Sequence, residues 1–235
     1  MKYEKILSAT ILALGIIVMG LCFRSGIISV RDMGRSVSVR GLAERDVPAD
    51  KVTWTLVYKE VGTDPVAMHD VLDAKNKIVI DFLTSAGVRD SDISVNAPTI
   101  VDRQADNYGN EILRYRYKAT STIVVTSTDV ALVRKLTMRQ GDLMKQGVAL
   151  VTEDYGETGC VSYEFTGLNS IKPEMIQEAT HNARLAAQKF ADDSDSKLGK
   201  ILSAQQGQFS IDDADANTPY IKHVRVVTTL EYQLE

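Results

Sequence analysis

Hydrophobic and polar positions change period several times along this chain, and each change marks an element. The first signal has no period: Ile6 to Phe23 runs without a charge, between Lys2 and Lys5 on one side and Arg24 on the other. A membrane-crossing helix needs about 20 apolar residues, with a range that reaches this length. The spacing therefore predicts one transmembrane helix. The residues after Gly20 offer no small-x-small cleavage site, and Leu21 before Cys22 fails the small-residue requirement of a lipoprotein site. The segment 1–23 is thus expected to remain as a signal anchor. Residues 24–35 form a short stalk, and the folded body is expected over 36–235.

Within the body the period alternates between two and three to four. Ser36 to Gly41 alternates as a half-buried strand should. After the turn at Asp46 to Asp50, Val52, Trp54, Leu56 and Tyr58 share one strand face, and the two strands are expected to pair as a hairpin. Asp64 caps a helix with Pro65 at its first position. Its apolar stripe is Met68, Val71, Leu72, Ile78, Phe82, Leu83 and Ala86, and Gly87 supplies a left-handed stop. Strand signals follow over Ile93–Asp102 and Ile112–Thr126. In the second, Tyr115, Tyr117, Ala119, Ser121, Ile123 and Val125 lie on one side; Arg116, Lys118, Thr120 and Thr122 lie on a side expected to be solvated.

Asp129 opens a further helix through Leu132, Val133, Leu136, Leu143 and Met144, with Gly141 interrupting it and Gly147 near its end. Val148–Tyr155 and Val161–Leu168 are expected to be strands. The best-specified helix spans 173–191, with Pro173 at the first position and a face of Ile176, Ala179, Ala183, Ala186 and Phe190. Three alanines in five let a neighbour approach closely. A strand from Leu198 to about Ile211, a polar loop over Asp212–Pro219 and a strand of Val224, Val226, Thr228, Leu230, Tyr232 and Leu234 complete the chain. The predicted fold class is α+β: an antiparallel or mixed sheet of strand pairs alternating with three helices on one face.

Composition narrows the function classes. The chain has 235 residues, 44% hydrophobic and 25% charged, as an ordinary globular body does. Without Lys2, Lys5 and Glu4 of the segment 1–23, the rest of the chain holds 25 basic (27 − 2) and 30 acidic (31 − 1) residues, a net charge of −5. That argues against nucleic acid as a partner. Cys22 lies in the apolar run and Cys160 stands alone in the body, so no intrachain disulfide is expected. Orientation follows from Lys2 and Lys5, which favour a cytoplasmic N-terminus against the opposing Arg24, Arg31 and Arg35. Long domains translocate largely regardless of such charges, so the body is expected outside the cytoplasm.

Candidate chemistry is thin. Asp213, Asp215 and Asn217 have the early spacing of a calcium loop, but positions six and twelve are Thr218 and Val224, where Gly and Glu are required. Asp192, Asp193 and Asp195 crowd a helix C-terminus, where turn formation accounts for them without a cation. His69, His181 and His223 have no metal-site spacing, and a Cys160–His181 nucleophile pair lacks a third, orienting group. Arg114, Arg116 and Lys118 with Tyr115 and Tyr117 fit an amphipathic strand. No catalytic, cofactor-binding or metal-binding residue is assigned.

Several fragments follow one another in a recognisable order: Val37-Ser38-Val39-Arg40-Gly41 with Val47-Pro48-Ala49-Asp50; Leu83-Thr84-Ser85-Ala86-Gly87-Val88 leading to Asp92-Ile93; and Tyr115-Arg116-Tyr117-Lys118-Ala119. The strongest is the run Ala179 to Ala191 followed by Leu198-Gly199-Lys200-Ile201. In these fragments and their spacing the body resembles the SIMPL domain family. Asp192 to Ser196 is more acidic than the family's short Gly-containing link. Bacterial members include periplasmic proteins described as oxidative-stress defence or periplasmic immunogenic proteins. The resemblance implies a non-enzymatic, homo-oligomeric, extracytoplasmic domain without cofactors. The expected protein is thus a single-pass inner-membrane protein, held through residues 6–23, that self-assembles or binds an envelope protein. The alternatives are an envelope module for a small ligand or cation, or a Cys160-dependent redox protein.

Overall fold

Which sheet each strand joins is decided at residues 48–50. The computed structural model describes residues 15–20, 23, 35–105, 114–151 and 160–235. β1 (Ser36–Pro48) and β2 (Lys51–Gly62) are almost contiguous, yet they do not pair. The predicted hairpin is therefore wrong. A two-residue hairpin turn requires positive φ at its centre, and neither Ala49 nor Asp50 adopts it. Instead the Ala49 N–H donates to the Tyr220 carbonyl at 2.8 Å and the Asp50 N–H donates to the Glu164 carbonyl at 3.0 Å. The chain changes partners there.

The remaining elements are α1 (Pro65–Ser85), a 3-10 turn at Asp90–Asp92, β3 (Ile93–Val95), β4 (Thr99–Asp102), β5 (Tyr117–Ser127), α2 (Val130–Met138), α3 (Gly141–Lys145), β6 (Val161–Glu164), α4 (Leu168–Asp193), β7 (Leu198–Gln206), β8 (Ser210–Asp213) and β9 (Ile221–Leu234). The class is α+β with antiparallel sheets. The expectation of one sheet bearing three helices is corrected: the described residues form two sheets, each with its own helices. The chain divides into two compact units, Met1–Arg45, Asn169–Ser210 and Val224–Glu235 in one, Asp46–Leu168 and Ile211–His223 in the other.

The second unit holds a five-stranded sheet, in which β2 pairs with β5 and β6, and β3 and β4 both pair with β5. Val52, Trp54, Leu56 and Tyr58 are buried together, as their alternation predicts, against Met68, Leu72, Val79 and Leu83 of α1. Full burial of each such side chain contributes about 1.5–3 kcal/mol. The Asp64 carboxylate accepts from the Val66 N–H at 2.9 Å and Pro65 opens α1, both as expected. Gly87 takes φ +102 at its end. Val71 is 44% exposed while Val79 is buried, so the stripe is narrower than predicted. Asp129 caps α2 through the Leu132 N–H, and the predicted helix does divide, at Arg139–Gln140, with Gly141 as the first residue of α3. Thr120, predicted to be solvated, is buried.

Among these core side chains lies one polar cluster. The Tyr58 hydroxyl and the Ser121 hydroxyl both donate to Asn76 Oδ1, the latter at 2.8 Å. Burial raises the Tyr58 pKa above the ordinary tyrosine value. Of the strand predicted over 148–155, Leu150 makes only an isolated bridge to Tyr58, residues 148, 149 and 151 are not strand, and residues 152–155 lie outside the described residues.

In the first unit the central strand is β9, with β1 on one side and β7 on the other. The Leu234 N–H donates to the Arg35 carbonyl at 2.9 Å, while residue 49 meets residue 220, so β1 and β9 run antiparallel. The helix α4 begins at Leu168, one turn earlier than predicted, with Pro173 inside it. The distant Asp50 is the reason. Its carboxylate accepts from the N–H groups of Thr166 at 2.8 Å and Gly167 at 2.9 Å, just ahead of the first turn. The predicted face is also corrected. The buried stripe is Met175, Ala179, Ala183, Ala187 and Ala191, whereas Phe190 is 59% exposed. A row of i, i+4 residues slants across a helix, so a helix crossing strands obliquely lays that row down, not the axial face of mixed spacing.

The predicted membrane helix at 6–23 and the stalk at 24–35 lie mostly outside the described residues. Residues 15–20 and 23 are helical. Among the described residues no helix is long and apolar enough to cross a membrane.

Candidate interaction edge

The feature that stands apart is β7. From Lys200 to Gln206 every residue is exposed, although the segment is paired to β9 through Ile201↔Tyr232, Ser203↔Glu231, Ala204↔Leu230, Gln205↔Thr229 and Gln206↔Thr228. Paired residues share a face, so Ile201 and Ala204 stand on the side of Tyr232 and Leu230, which are buried with Ala183 and Ala187 of α4. Leu198 packs against that cluster, whereas the run from Lys200 to Gln206 is left exposed. Ile201 is left 52% exposed on that side, above a groove of about 270 Å³ lined by Arg184, Gln188, Leu198, Gly199, Ile201 and Tyr232.

The outer edge of β7 is likewise uncovered: among the described residues no strand pairs with it. Natural sheets guard such edges with charge, proline or a covering group. The other edge strand, β1, is guarded in this way. It carries Arg40, Glu44, Arg45, Asp46 and Pro48, and the Leu42 carbonyl accepts from Asn182 Nδ2 of α4 at 2.8 Å. β7 has one charge, Lys200, no proline, and register shifts confined to its first half. Sequence reasoning found the strand and missed the edge, because what pairs with a strand is not written in the strand.

Most of the residues singled out for chemistry are engaged in local structure. Asp213 bonds Lys222, and the Asp215 carboxylate accepts from the Asn217 and Thr218 backbone N–H groups at 2.7 and 3.0 Å and from the Thr218 hydroxyl. The Thr218 hydroxyl first, then the Asn217 N–H, lowers the Asp215 pKa. This is a self-capped turn. Lys189 reaches Asp193 at 2.9 Å, Gln188 reaches Asp192 at 2.8 Å, and Asp195 takes the left-handed φ of 49 that ends α4. Ser196 N–H then closes on the Ala191 carbonyl at 2.9 Å.

His69 pairs with Asp73 one turn on, at 3.2 Å, and His223 Nδ1 lies 2.7 Å from Asp46. His181 is exposed on α4, and Cys160 is exposed and free at the head of β6, where its carbonyl accepts from the Thr55 N–H at 2.9 Å. They belong to different units. Arg116 is held by Asp102, 3.0 Å from Nε to either carboxylate oxygen, and its guanidinium lies 5.2 Å from the Tyr117 ring. Arg114 lies 5.4 Å from the Tyr115 ring. The cations therefore sit beside the aromatics, where the alternation alone had separated them. Among the described residues no cluster of His, Cys, Asp and Glu is arranged to hold a metal ion.

The family model described as SIMPL, protein of unknown function (DUF541), matches residues 37–232, from the first strand to the last. The chain belongs to the SIMPL family. No curated protein matches it. The match encloses α4 and β7 together, so the alanine-striped helix and the uncovered strand both lie inside the SIMPL domain rather than in an appended segment.

Proposed function

We propose that this SIMPL protein is anchored in the inner membrane through residues 6–23 and acts in the periplasm by self-assembly or by binding an envelope protein, without catalysis. One observation carries the reading: among the described residues β7 presents a bare edge and two exposed faces over seven consecutive residues, Lys200 to Gln206. An unguarded edge of that length is a template for another strand. The charge-free run from Ile6 to Phe23 supports the anchor, and the engagement of Asp213, Asp215, His69, His223 and Arg116 in local structure supports a role without chemistry. Stress defence is the physiological setting the family resemblance favours.

The test is the mass of the full chain in mild detergent, by light scattering corrected for the micelle. An oligomer is expected; a monomer across micromolar concentrations would remove self-assembly, and a detergent-solubilised pull-down would then decide for or against a protein partner. The rival redox reading has the exposure of Cys160 in its favour. Unchanged peroxide survival in cells carrying Cys160→Ser dismisses it.

A further inference from the structure

We propose that the occupant of the β7 edge is β7 of a second copy, antiparallel, about a twofold axis at Gln205. The proposal rests on the assembly reading above and names its partner and register. The alternation of backbone groups fixes which residues face outward. Gly207 N–H donates to the Val227 carbonyl at 2.8 Å, so residue 207 turns its hydrogen-bonding groups towards β9. Successive residues of a strand turn theirs to opposite sides. In the regular stretch of register from Ser203 to Gln206, Ser203 and Gln205 therefore also bond to β9, and the N–H and C=O of Ala204 and Gln206 point to the open edge.

A strand that satisfies these four groups must offer the same alternation in the opposite direction, and β7 itself does. With the axis at Gln205, Ala204 meets Gln206 of the second copy and Gln206 meets its Ala204. It is the register in which every outward group of the regular stretch finds its partner within that stretch, whereas an axis further towards the C-terminus would pair Ala204 with residues beyond Gln206, where β7 has ended. Axes further towards the N-terminus draw in Leu202, which lies in the register shift between Ile201 and Ser203. The charge pattern agrees with self-pairing. The overlapping residues 203–207 carry no charge, and Lys200 falls outside the overlap, so no lysine stands opposite its own copy.

In this arrangement the two Gln205 side chains form a close pair without mutual backbone hydrogen bonds. Cα atoms of such a pair lie about 4.5 Å apart, within the span a disulfide bridges. Gln205→Cys, in the full chain with Cys22→Ser and Cys160→Ser, is expected to cross-link on mild oxidation on the order of tenfold faster than Ser203→Cys, which would face Gly207 of the copy. Ala204→Pro removes an outward N–H and no bond to β9, a placement proline tolerates on an edge, and is expected to shift the detergent-solubilised oligomer to a smaller mass. If the chain is oligomeric but Gln205→Cys cross-links no faster than Ser203→Cys, the β7 pairing is overturned while assembly through another surface stands. A monomeric wild type overturns both. Where Ala204→Pro lowers the melting temperature, the cross-linking comparison decides alone.

Discussion

Gly41 of β1 lies directly against Ala183 of α4: a Cβ on Gly41 would stand 2.4 Å from the Ala183 nitrogen, 2.8 Å from the Ala183 Cβ and 1.9 Å from the Ala179 carbonyl oxygen. Helix backbone and strand backbone approach as closely as small residues permit, which is what the spaced alanines of α4 are for. Ala183→Leu should therefore destabilise by overpacking, by about 1–3 kcal/mol. Gly41→Ala should be at least as costly, since it meets backbone atoms that cannot rotate away. Denaturant melts of the chain in mild detergent check both, and a neutral Ala183→Leu would mean that α4 does not lie on β1.

Asn76 holds two buried hydroxyls with one oxygen, which orders the effects of removing each member. Asn76→Ala leaves Tyr58 and Ser121 without that acceptor inside the core, at a cost of about 1–3 kcal/mol for each group left unsatisfied. Tyr58→Phe takes one hydroxyl away and leaves Ser121 its partner, so its cost should be nearer about 1 kcal/mol. The same denaturant melts decide: Tyr58→Phe proving costlier than Asn76→Ala would mean that the network does not centre on Asn76.

What was legible in the sequence was local. Asp64 and Pro65 before α1, Gly87 after it, Asp129 before α2 and the alternation of β2 each declare their geometry within a few residues, and the structure has them so. What failed was pairing over distance. The start of α4 depends on Asp50, over a hundred residues earlier in the chain, and the partner of β1 is the last strand. The stripe on α4 was misplaced by one residue at several positions because its slant depends on the crossing angle. The open edge of β7 was invisible for the same reason: Leu198 to Gln206 reads as a strand whether or not anything lies beside it.

Arg116 pairs with Asp102 across the β4–β5 ladder, and this pair gives the acid behaviour a sign. The Arg116 hydrogen bonds come first among the causes that hold the Asp102 carboxyl below the ordinary range, with the Gln104 N–H adding to them. A carboxylate whose folded pKa lies below its unfolded value, about 3.9, contributes stability that is present above that value and lost as pH falls through the folded pKa. Asp102→Asn should therefore lower the melting temperature at pH 7, and the gap to the wild type should close on acidification below about pH 4. Melting curves at neutral and acid pH read it directly; a gap that stays constant with pH would mean the carboxylate charge has no part in it.

Asp192, Asp193 and Asp195 invite a cation, and their positions predict that none will matter. Asp192 accepts from Gln188 and Asp193 pairs with Lys189, each one turn back on α4. Asp195 is set by its backbone: at φ 49 it is the left-handed residue that lets the Ser196 N–H reach the Ala191 carbonyl. Left-handed backbone penalises a Cβ and not glycine, so Asp195→Gly should leave the helix end intact and stabilise the protein by about 0.5 kcal/mol, the gain limited by the tolerance of aspartate for this conformation. Asp195→Ala, which keeps the Cβ and loses the polar side chain, should destabilise. Millimolar calcium should leave the melting temperature of the wild type unchanged. A calcium-dependent rise that Asp195→Gly abolishes would show instead that these carboxylates converge on an ion, and that the acidic end of α4 is more than the place where the helix stops.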